Sequence, residues 1–198
     1  MLGSAGLRWS AWFRKLRFGR EVGPFGGVRV MRPTCKPFGM IWSKTRKALK
    51  ALLADSVRGR VDYHKTRYGP GFSYLQTRAW VTWDGEEIAT MKTPVWLQRQ
   101  YELVREDGMG YSGAADRLRS AGVLSSDDFE TAAEAYLGSS IDECLASDDQ
   151  IVRAMAMFDR RLGKRRLLAL QDKGDSGLVL AFYLLRMEAE GLMVFDQA

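Results

Sequence analysis

The sequence contains few of the residues that most metal and redox sites require. Among its 198 residues there are one histidine, His64, and two cysteines, Cys35 and Cys144. One histidine cannot build a multi-histidine metal site or a zinc finger. Only one cysteine follows residue 39, so the remainder of the chain cannot contain an internal disulfide. This favours a reducing compartment. We therefore predict a cytoplasmic protein without a metal site.

Long apolar runs and two common functional motifs are also missing. No segment approaches the roughly 18 uninterrupted apolar residues that a membrane span needs, so we expect no membrane association. The sequence has no Gly-x-x-x-x-Gly-Lys loop and no Gly-x-Ser-x-Gly elbow. These absences argue against P-loop nucleotide binding and the usual α/β-hydrolase site. We predict that the protein uses no cofactor.

Positive charge is concentrated at the start of the chain. Residues 1–39 carry a net charge of +7, with Glu21 as their one acid, whereas residues 40–198 hold 22 basic and 23 acidic side chains. Glycine and proline also interrupt the apolar runs of residues 1–39. We predict that these residues are a basic, Gly/Pro-rich leader outside the fold, either disordered or upstream of a mis-set start at Met40. A transit peptide and a surface-binding arm are the alternatives.

Residues 40–198 are predicted to form a single α+β domain. Its sheet part spans 40–93 and its helical part spans 94–198. Leucines at helical spacing predict an amphipathic N-terminal helix, and alternating or β-branched residues predict three strands. The predicted helix covers residues 43–57, and the predicted strands cover 60–68, 74–83 and 86–91.

The last two strands are predicted to form a hairpin. Asp84-Gly85 is a favoured two-residue turn between two runs rich in β-branched and aromatic residues. A type I′ turn would place Trp83 opposite Glu86, Val81 opposite Ile88 and Trp80 opposite Ala89. Together with the preceding strand, this hairpin predicts an antiparallel sheet of about three strands.

The second half of the chain is predicted to be helical. Ser125 opens one helix, and capping boxes are expected at Ser140 with Glu143 and at Ser147 with Gln150. The second box is expected to open the longest helix, which would continue past Phe158 to Leu162 with one apolar face. An α-helical C-terminal half behind a small sheet completes the predicted architecture.

One predicted sheet face carries candidate catalytic residues. Asp62 and His64 lie two positions apart on one strand, and Arg78 lies on a neighbouring strand. A histidine beside a carboxylate can act as a general base, and an arginine can hold a phosphate. Same-face neighbours on a strand are about 6–7 Å apart, however, which is too far for a direct Asp62–His64 hydrogen bond. We therefore favour an exposed, satisfied sheet face over a catalytic site.

Aromatic residues cluster on the predicted strands. Such residues mostly make core, but they contact a partner where helices leave one sheet face uncovered. Stacking on nucleic-acid bases is a further use of such rings. Three aromatic residues and one neighbouring arginine are our candidate partner-binding residues on the sheet. They are Tyr63, Tyr68, Trp80 and Arg67.

Five basic residues occur within seven positions near the predicted end of the longest helix. Such runs can bind nucleic acid or acidic proteins. Cations at a helix C-terminus also stabilise the helix itself, which is a structural reason for such a run. The rest of residues 40–198 has almost no net charge and so adds no further positive surface for phosphates. Nucleic-acid binding is therefore not favoured. Four residues of the run are further candidate partner-binding residues, namely Arg160, Arg161, Lys164 and Arg165. The fifth residue of the run is Arg166.

Several segments resemble a family of uncharacterised bacterial proteins. They are Met-Ile-Trp-Ser-Lys at 40–44, Gly-Arg-Val-Asp-Tyr-His at 59–64, Arg-Ala-Trp at 78–80 followed by Asp-Gly-Glu at 84–86, and Asp-Arg-Arg-Leu-Gly-Lys-Arg at 159–165. The resemblance spans about residues 40–191 and implies a bacterial cytosolic protein whose chain opens at the Trp-Ser-Lys segment. It implies no activity, cofactor or catalytic residue.

These observations favour a binding protein over an enzyme. No catalytic constellation stands out, whereas aromatic and basic patches do. We predict a non-enzymatic module that binds an unidentified protein partner or has a regulatory role. The alternatives are a metal-independent phosphodiester or phosphoryl hydrolase that uses His64, Asp62 and Arg78, and a nucleic-acid-binding protein.

Overall fold

The computed structural model describes residues 41–67, 77–170 and 177–192. The chain divides into two units after Gly39, and all described residues belong to the second unit. The predicted leader, Cys35 and the candidate partner-binding residue Tyr68 lie outside the described residues.

The described residues form a helix, three strands and then seven helices. This order confirms the predicted α+β class, with an N-terminal helix, an antiparallel sheet and a mostly helical C-terminal half. In chain order the elements are α1 (Trp42–Leu52), β1 (Val61–Arg67), β2 (Thr77–Trp83), β3 (Glu86–Lys92), α2 (Thr93–Glu106), α3 (Tyr111–Ser120), α4 (Ser126–Gly138), α5 (Ile141–Ala146), α6 (Gln150–Met157), α7 (Lys164–Leu168) and α8 (Gly177–Ala189).

The sheet has the order β1-β2-β3, and both strand pairs are antiparallel. The β2–β3 turn has left-handed backbone at Asp84 (φ 50°) and Gly85 (φ 85°). Two consecutive residues with positive φ are what a type I′ turn requires. The guanidinium of Arg60 donates to both carboxylate oxygens of Asp84, so a side chain from the residue before β1 holds this turn.

The predicted hairpin register is correct at the turn and wrong beyond it. Trp83 pairs with Glu86 as predicted, but a bulge between Val81 and Thr82 places Val81 opposite Ala89. The two-residue turn fixes only the first pairs, and one additional residue on β3, Ile88, then shifts every later pair. The predicted pairs of Val81 with Ile88 and Trp80 with Ala89 are therefore wrong.

Two helices end earlier than predicted because their following segments pair with each other. The amide of Ala54 donates to the carbonyl of Phe158 (2.9 Å), and the amide of Arg160 donates to the carbonyl of Leu52 (2.8 Å). Backbone groups used in these bridges cannot continue a helical ladder. Consequently α1 ends at Leu52 rather than at residue 57, and the predicted longest helix ends at Met157.

The predicted helix starts are mostly confirmed. Ser125 with Asp128 and Ser140 with Glu143 form reciprocal capping boxes. The predicted box of Ser147 with Gln150 is wrong, because the carboxylate of Asp149 caps α6 by accepting from the amides of Ile151 and Val152. An aspartate is as good an N-cap as a serine, and it lies directly before the first helical residue.

Two groups of stacked or tilted aromatic rings connect the sheet to the helices. Tyr63 on β1 packs against Phe129 on α4 at 6.4 Å between ring centroids, and Trp83 on β2 packs against Phe158 at 5.7 Å. Phe158 in turn stacks on Phe182 of α8 at 4.6 Å. Because these rings are almost fully buried, the helical half covers the sheet face that carries Tyr63 and Trp83. Truncation of such a ring costs about 3–5 kcal/mol.

Of the described helices, none combines the length and the apolar character that crossing a bilayer demands.

Candidate functional site

The sheet has a second face, which we call the outer face. Along β1 and β2, side chains alternate, and Val61, Tyr63, Ala79 and Val81 point into the core. The intervening residues therefore lie on the outer face, and most of them keep part of their surface in solvent. The outer-face residues are Asp62, His64 and Thr66 on β1 and Arg78, Trp80 and Thr82 on β2.

Three outer-face side chains form a stacked row. The His64 imidazole lies parallel to the Trp80 indole, with ring centroids 4.9 Å apart and an interplanar angle of 9°. The Arg78 guanidinium lies 4.6 Å from the centre of the same indole, at cation–π distance. The pairing of His64 with Trp80 across the β1–β2 ladder places the two rings side by side. We call this arrangement the His64–Trp80–Arg78 row.

Arg78 is fixed at both ends of its guanidinium. It forms an ion pair with Glu87 of β3 and donates from Nε to the Thr90 hydroxyl at 3.3 Å. Glu87 pairs with Thr82 across the β2–β3 ladder, and the additional residue of the bulge, Ile88, comes directly after it. The bulge therefore lies beside the Arg78–Glu87 ion pair. The charge of Arg78 is therefore balanced within the sheet, and its planar group remains over Trp80.

Asp62 is held by α1 and does not bond to His64. Its Oδ1 accepts from Arg46 Nε at 2.9 Å and from its neighbour Tyr63 N at 2.8 Å, and its Oδ2 accepts from Arg46 Nη2 and Lys50 Nζ. Partial burial opposes ionisation, but these hydrogen bonds lower the pKa of Asp62 to about 2. The carboxylate is therefore ionised at neutral pH and fully engaged by α1.

His64 is predominantly neutral at pH 7. Burial is the main reason that its pKa lies below the usual value of 6.5; the Asp62 carboxylate opposes this effect, and the cations of Arg46 and Lys50 add to it. The His64 Nε2 atom is 3.1 Å from the Thr82 hydroxyl oxygen. A neutral imidazole could accept a proton, but the hydroxyl nearest to it is buried in the sheet.

Two other sheet candidates that the structure describes, Tyr63 and Arg67, are not on the outer face. Tyr63 is only 1% exposed and belongs to the core. Lys65 bonds to Glu130 of α4, on the helix-covered face, and alternation places Arg67 on that same face. Of the sheet candidates that the structure describes, it therefore brings Asp62, His64, Arg78 and Trp80 together, and it separates Tyr63 and Arg67 from them.

The basic run at 160–166 is not a continuous patch. The run is divided between a turn and the short helix α7, so the prediction that it ends a long helix is wrong. Arg161 pairs with Asp159, Lys164 with Glu190 and Arg166 with Asp142. Arg160 and Arg165 remain exposed. Three of the five cations in the run therefore have a carboxylate partner.

A buried polar cluster around Asp159 has no counterpart among the sequence predictions. The Asp159 side chain is fully buried, and its Oδ2 accepts from the Tyr136 hydroxyl at 2.6 Å and from Arg161 Nη2 at 2.7 Å. Burial, together with nearby negative charge, raises the pKa of Tyr136 above its usual 10.0, so the phenol remains a donor. The sequence contains one signal for this cluster. Asp159 lies between Phe158 and Leu162 of a predicted apolar helix face, and a carboxylate buried there needs hydrogen-bond donors.

The same region contains a second buried ion pair. Arg186 of α8 donates to the Phe158 carbonyl and pairs with Glu190 at 2.8 Å, and Ser56 donates to Glu190 at 2.6 Å. Both clusters connect the turn after α6 to other elements. Apart from Arg186 Nε, which is buried without a hydrogen-bond partner, the charged groups of both clusters are paired with one another, and this indicates a structural role.

The helical half has a groove of about 560 Å³ between α2 and α3. It is lined by apolar and polar side chains, with Tyr101 and Tyr111 more than half exposed. The glycines at 108, 110 and 113 have the Gly-x-Gly-x-x-Gly spacing, but this segment follows helix α2, whereas a dinucleotide site requires a preceding strand. In the part of the chain that the structure describes, no three His, Cys, Asp or Glu side chains are grouped as metal ligands would be.

Comparison with known proteins gives a family match without an activity. Residues 41–187 match the sequence model of the SF0329 protein family. No curated protein and no solved structure matches the chain.

Proposed function

The chain belongs to the SF0329 protein family, and from the geometry of its outer face we propose that it is a non-enzymatic module that binds a partner protein. The His64–Trp80–Arg78 row is the observation that carries this proposal. Tryptophan and arginine are the side chains that most often dominate the energy of protein interfaces. Here both are partly exposed and held in one conformation by stacking and by the Arg78–Glu87 pair.

Preorganisation favours binding through this row. A flexible side chain that becomes fixed in an interface costs about 0.5–1.5 kcal/mol in conformational entropy. Trp80 is already stacked on His64, and Arg78 is already held over Trp80. These side chains would therefore lose little freedom on contact with a partner.

The hydrolase alternative receives less support from the same geometry. Asp62 is engaged by Arg46 and Lys50 rather than by His64, so it does not orient the imidazole as a catalytic carboxylate would. Arg78 is paired with Glu87, and its charge is not free for a phosphate. An activity of this kind would require these pairs to break on substrate binding.

Nucleic-acid binding also receives less support. Base stacking uses an exposed aromatic face, but the Trp80 indole already contacts both the His64 ring and the Arg78 guanidinium. The basic run at 160–166 is largely paired with carboxylates. Residues 40–198 contain almost equal numbers of acidic and basic side chains.

The experiment is a comparative capture with the full chain. Wild-type protein, Trp80→Ala and Arg67→Ala are immobilised and exposed to a bacterial lysate, and the retained proteins are quantified. Arg67→Ala is the matched control, because it changes a strand residue on the opposite face of the same sheet. Circular dichroism verifies that each variant is folded.

The proposal predicts at least one protein that the wild type and Arg67→Ala retain equally and that Trp80→Ala loses. Arg78→Ala should lose the same protein, since it removes the second member of the row. Retention that does not depend on Trp80, or loss with Arg67→Ala instead, would contradict the assignment of the outer face as the binding surface.

A further inference from the structure

Helix α1 has a strongly basic surface beside the outer face. The helix contains four cationic residues, Lys44, Arg46, Lys47 and Lys50, and no acidic one. At 100° per residue these four positions follow one another around the side of the helix that faces away from the buried Thr45 and Leu49. We call this surface the α1 basic side.

Among the described residues, Asp62 is the carboxylate that pairs with the α1 basic side, and it neutralises only part of that charge. Asp62 accepts from both Arg46 and Lys50, which leaves an excess of one positive charge at this contact. Lys44 and Lys47 are exposed and add two more charges. Because Asp62 is already ionised at neutral pH, this excess cannot be reduced further by deprotonation there.

The α1 basic side and the His64–Trp80–Arg78 row are neighbours. Asp62 and His64 are adjacent outer-face positions on β1, and His64 stacks on Trp80. A ligand that lies along the His64–Trp80–Arg78 row and extends past its His64 end therefore reaches Asp62 and the Arg46 and Lys50 side chains bonded to it. The row itself adds no net charge, since Arg78 is paired with Glu87.

We infer that the partner of this module presents an acidic peptide segment, whose carboxylates lie against the α1 basic side while an adjoining part of the partner contacts the His64–Trp80–Arg78 row. This inference rests on the proposed binding function and adds the chemistry of the partner. Charge complementarity of this kind accelerates encounter and selects among partners. An acidic peptide suits the site better than a polynucleotide, because the Trp80 indole already stacks on His64 and Arg78.

The test measures binding of a fluorescein-labelled oligoglutamate peptide to the full chain by anisotropy. An oligothymidylate of equal length is the competing polyanion. The variant Lys44→Glu/Lys47→Glu reverses two charges of the α1 basic side. The matched control, Arg160→Glu/Arg165→Glu, reverses two exposed charges elsewhere and changes the net charge equally.

Reversal of Lys44 and Lys47 should weaken oligoglutamate binding about tenfold, and the control should leave it nearly unchanged. Hydrogen exchange should slow in α1 and in the outer-face residues of β1 and β2 on peptide addition. This localisation separates the site from the basic residues 1–39, which also attract acidic peptides. Sodium chloride should weaken the interaction.

Equal weakening by both double variants would overturn the inference, because net charge alone would then explain binding. Oligothymidylate binding of equal strength with the same variant dependence would also overturn it. If either result occurs while capture still depends on Trp80, only the acidic chemistry of the partner is wrong. If capture is independent of Trp80, the proposed function itself fails.

Discussion

Replacement of Asp159 by alanine should destabilise the protein severely. This carboxylate is fully buried and accepts four hydrogen bonds, one from the Tyr136 hydroxyl and three from the side chain and amide of Arg161. Its removal leaves the phenol and a half-buried guanidinium without their acceptor. Breaking a buried ion pair by deleting one partner costs about 3–5 kcal/mol. We therefore expect a loss of about 4 kcal/mol in the free energy of unfolding.

Urea denaturation at neutral pH measures this loss. Asp142→Ala is the control, because it removes the carboxylate of an exposed pair with Arg166, and its unfolding midpoint should stay close to that of the wild type. A loss of about 4 kcal/mol approaches the whole stability of a small domain, so Asp159→Asn, which keeps one acceptor oxygen, provides an intermediate variant.

A double-mutant cycle with Tyr136→Phe isolates the contact. Once the Tyr136 hydroxyl has been removed, Asp159→Ala no longer leaves that buried donor unsatisfied. Asp159→Ala should therefore cost less in the Tyr136→Phe background than in the wild type. A cost below about 1 kcal/mol for Asp159→Ala, or strict additivity in the cycle, would refute the structural role that we assign to this cluster.

Two further predictions concern protonation on the outer face. Because the sequence has one histidine, the imidazole signals in proton NMR report on His64 alone. Its titration midpoint should lie below 6.5, because burial disfavours the imidazolium. A midpoint above 6.5 would contradict the stacked geometry. Trp80→Ala should move that midpoint towards 6.5. The pKa of Asp62 is about 2 in the fold against the usual 3.8, so the stabilising ionised form is lost as pH falls through this range. Acid titration of stability should therefore show a steeper loss between about pH 4 and pH 2 for the wild type than for Asp62→Asn, and equal slopes would argue against the Arg46–Asp62–Lys50 contact.

The sequence predicted those elements that local chemistry determines. The Asp84-Gly85 turn, the Ser125 and Ser140 caps and the order of a helix, strands and helices depend on residues close together in the chain. The bulge in β3 could not be predicted in this way, because no residue type between Val81 and Ala89 requires a bulge. The early ends of α1 and α6 depend on bridges between Ala54 and Phe158, residues far apart in sequence.

The candidate site was predictable in part for the same reason. Alternation placed Asp62 and His64 on one face and spacing argued against a direct bond between them, and both expectations agree with the structure. Alternation also separates Arg67 from His64, although the sequence interpretation grouped it with Trp80. The stacking of Arg78 on Trp80 and the capture of Asp62 by α1 require tertiary contacts that one strand cannot specify.

The most direct test of the binding surface is a hydrogen-exchange footprint of the captured partner on the full chain. Protection should appear in β1 and β2, at the amides around His64 and Trp80, and should disappear in Trp80→Ala. Protection confined to the groove between α2 and α3, with β1 and β2 unchanged, would contradict the account.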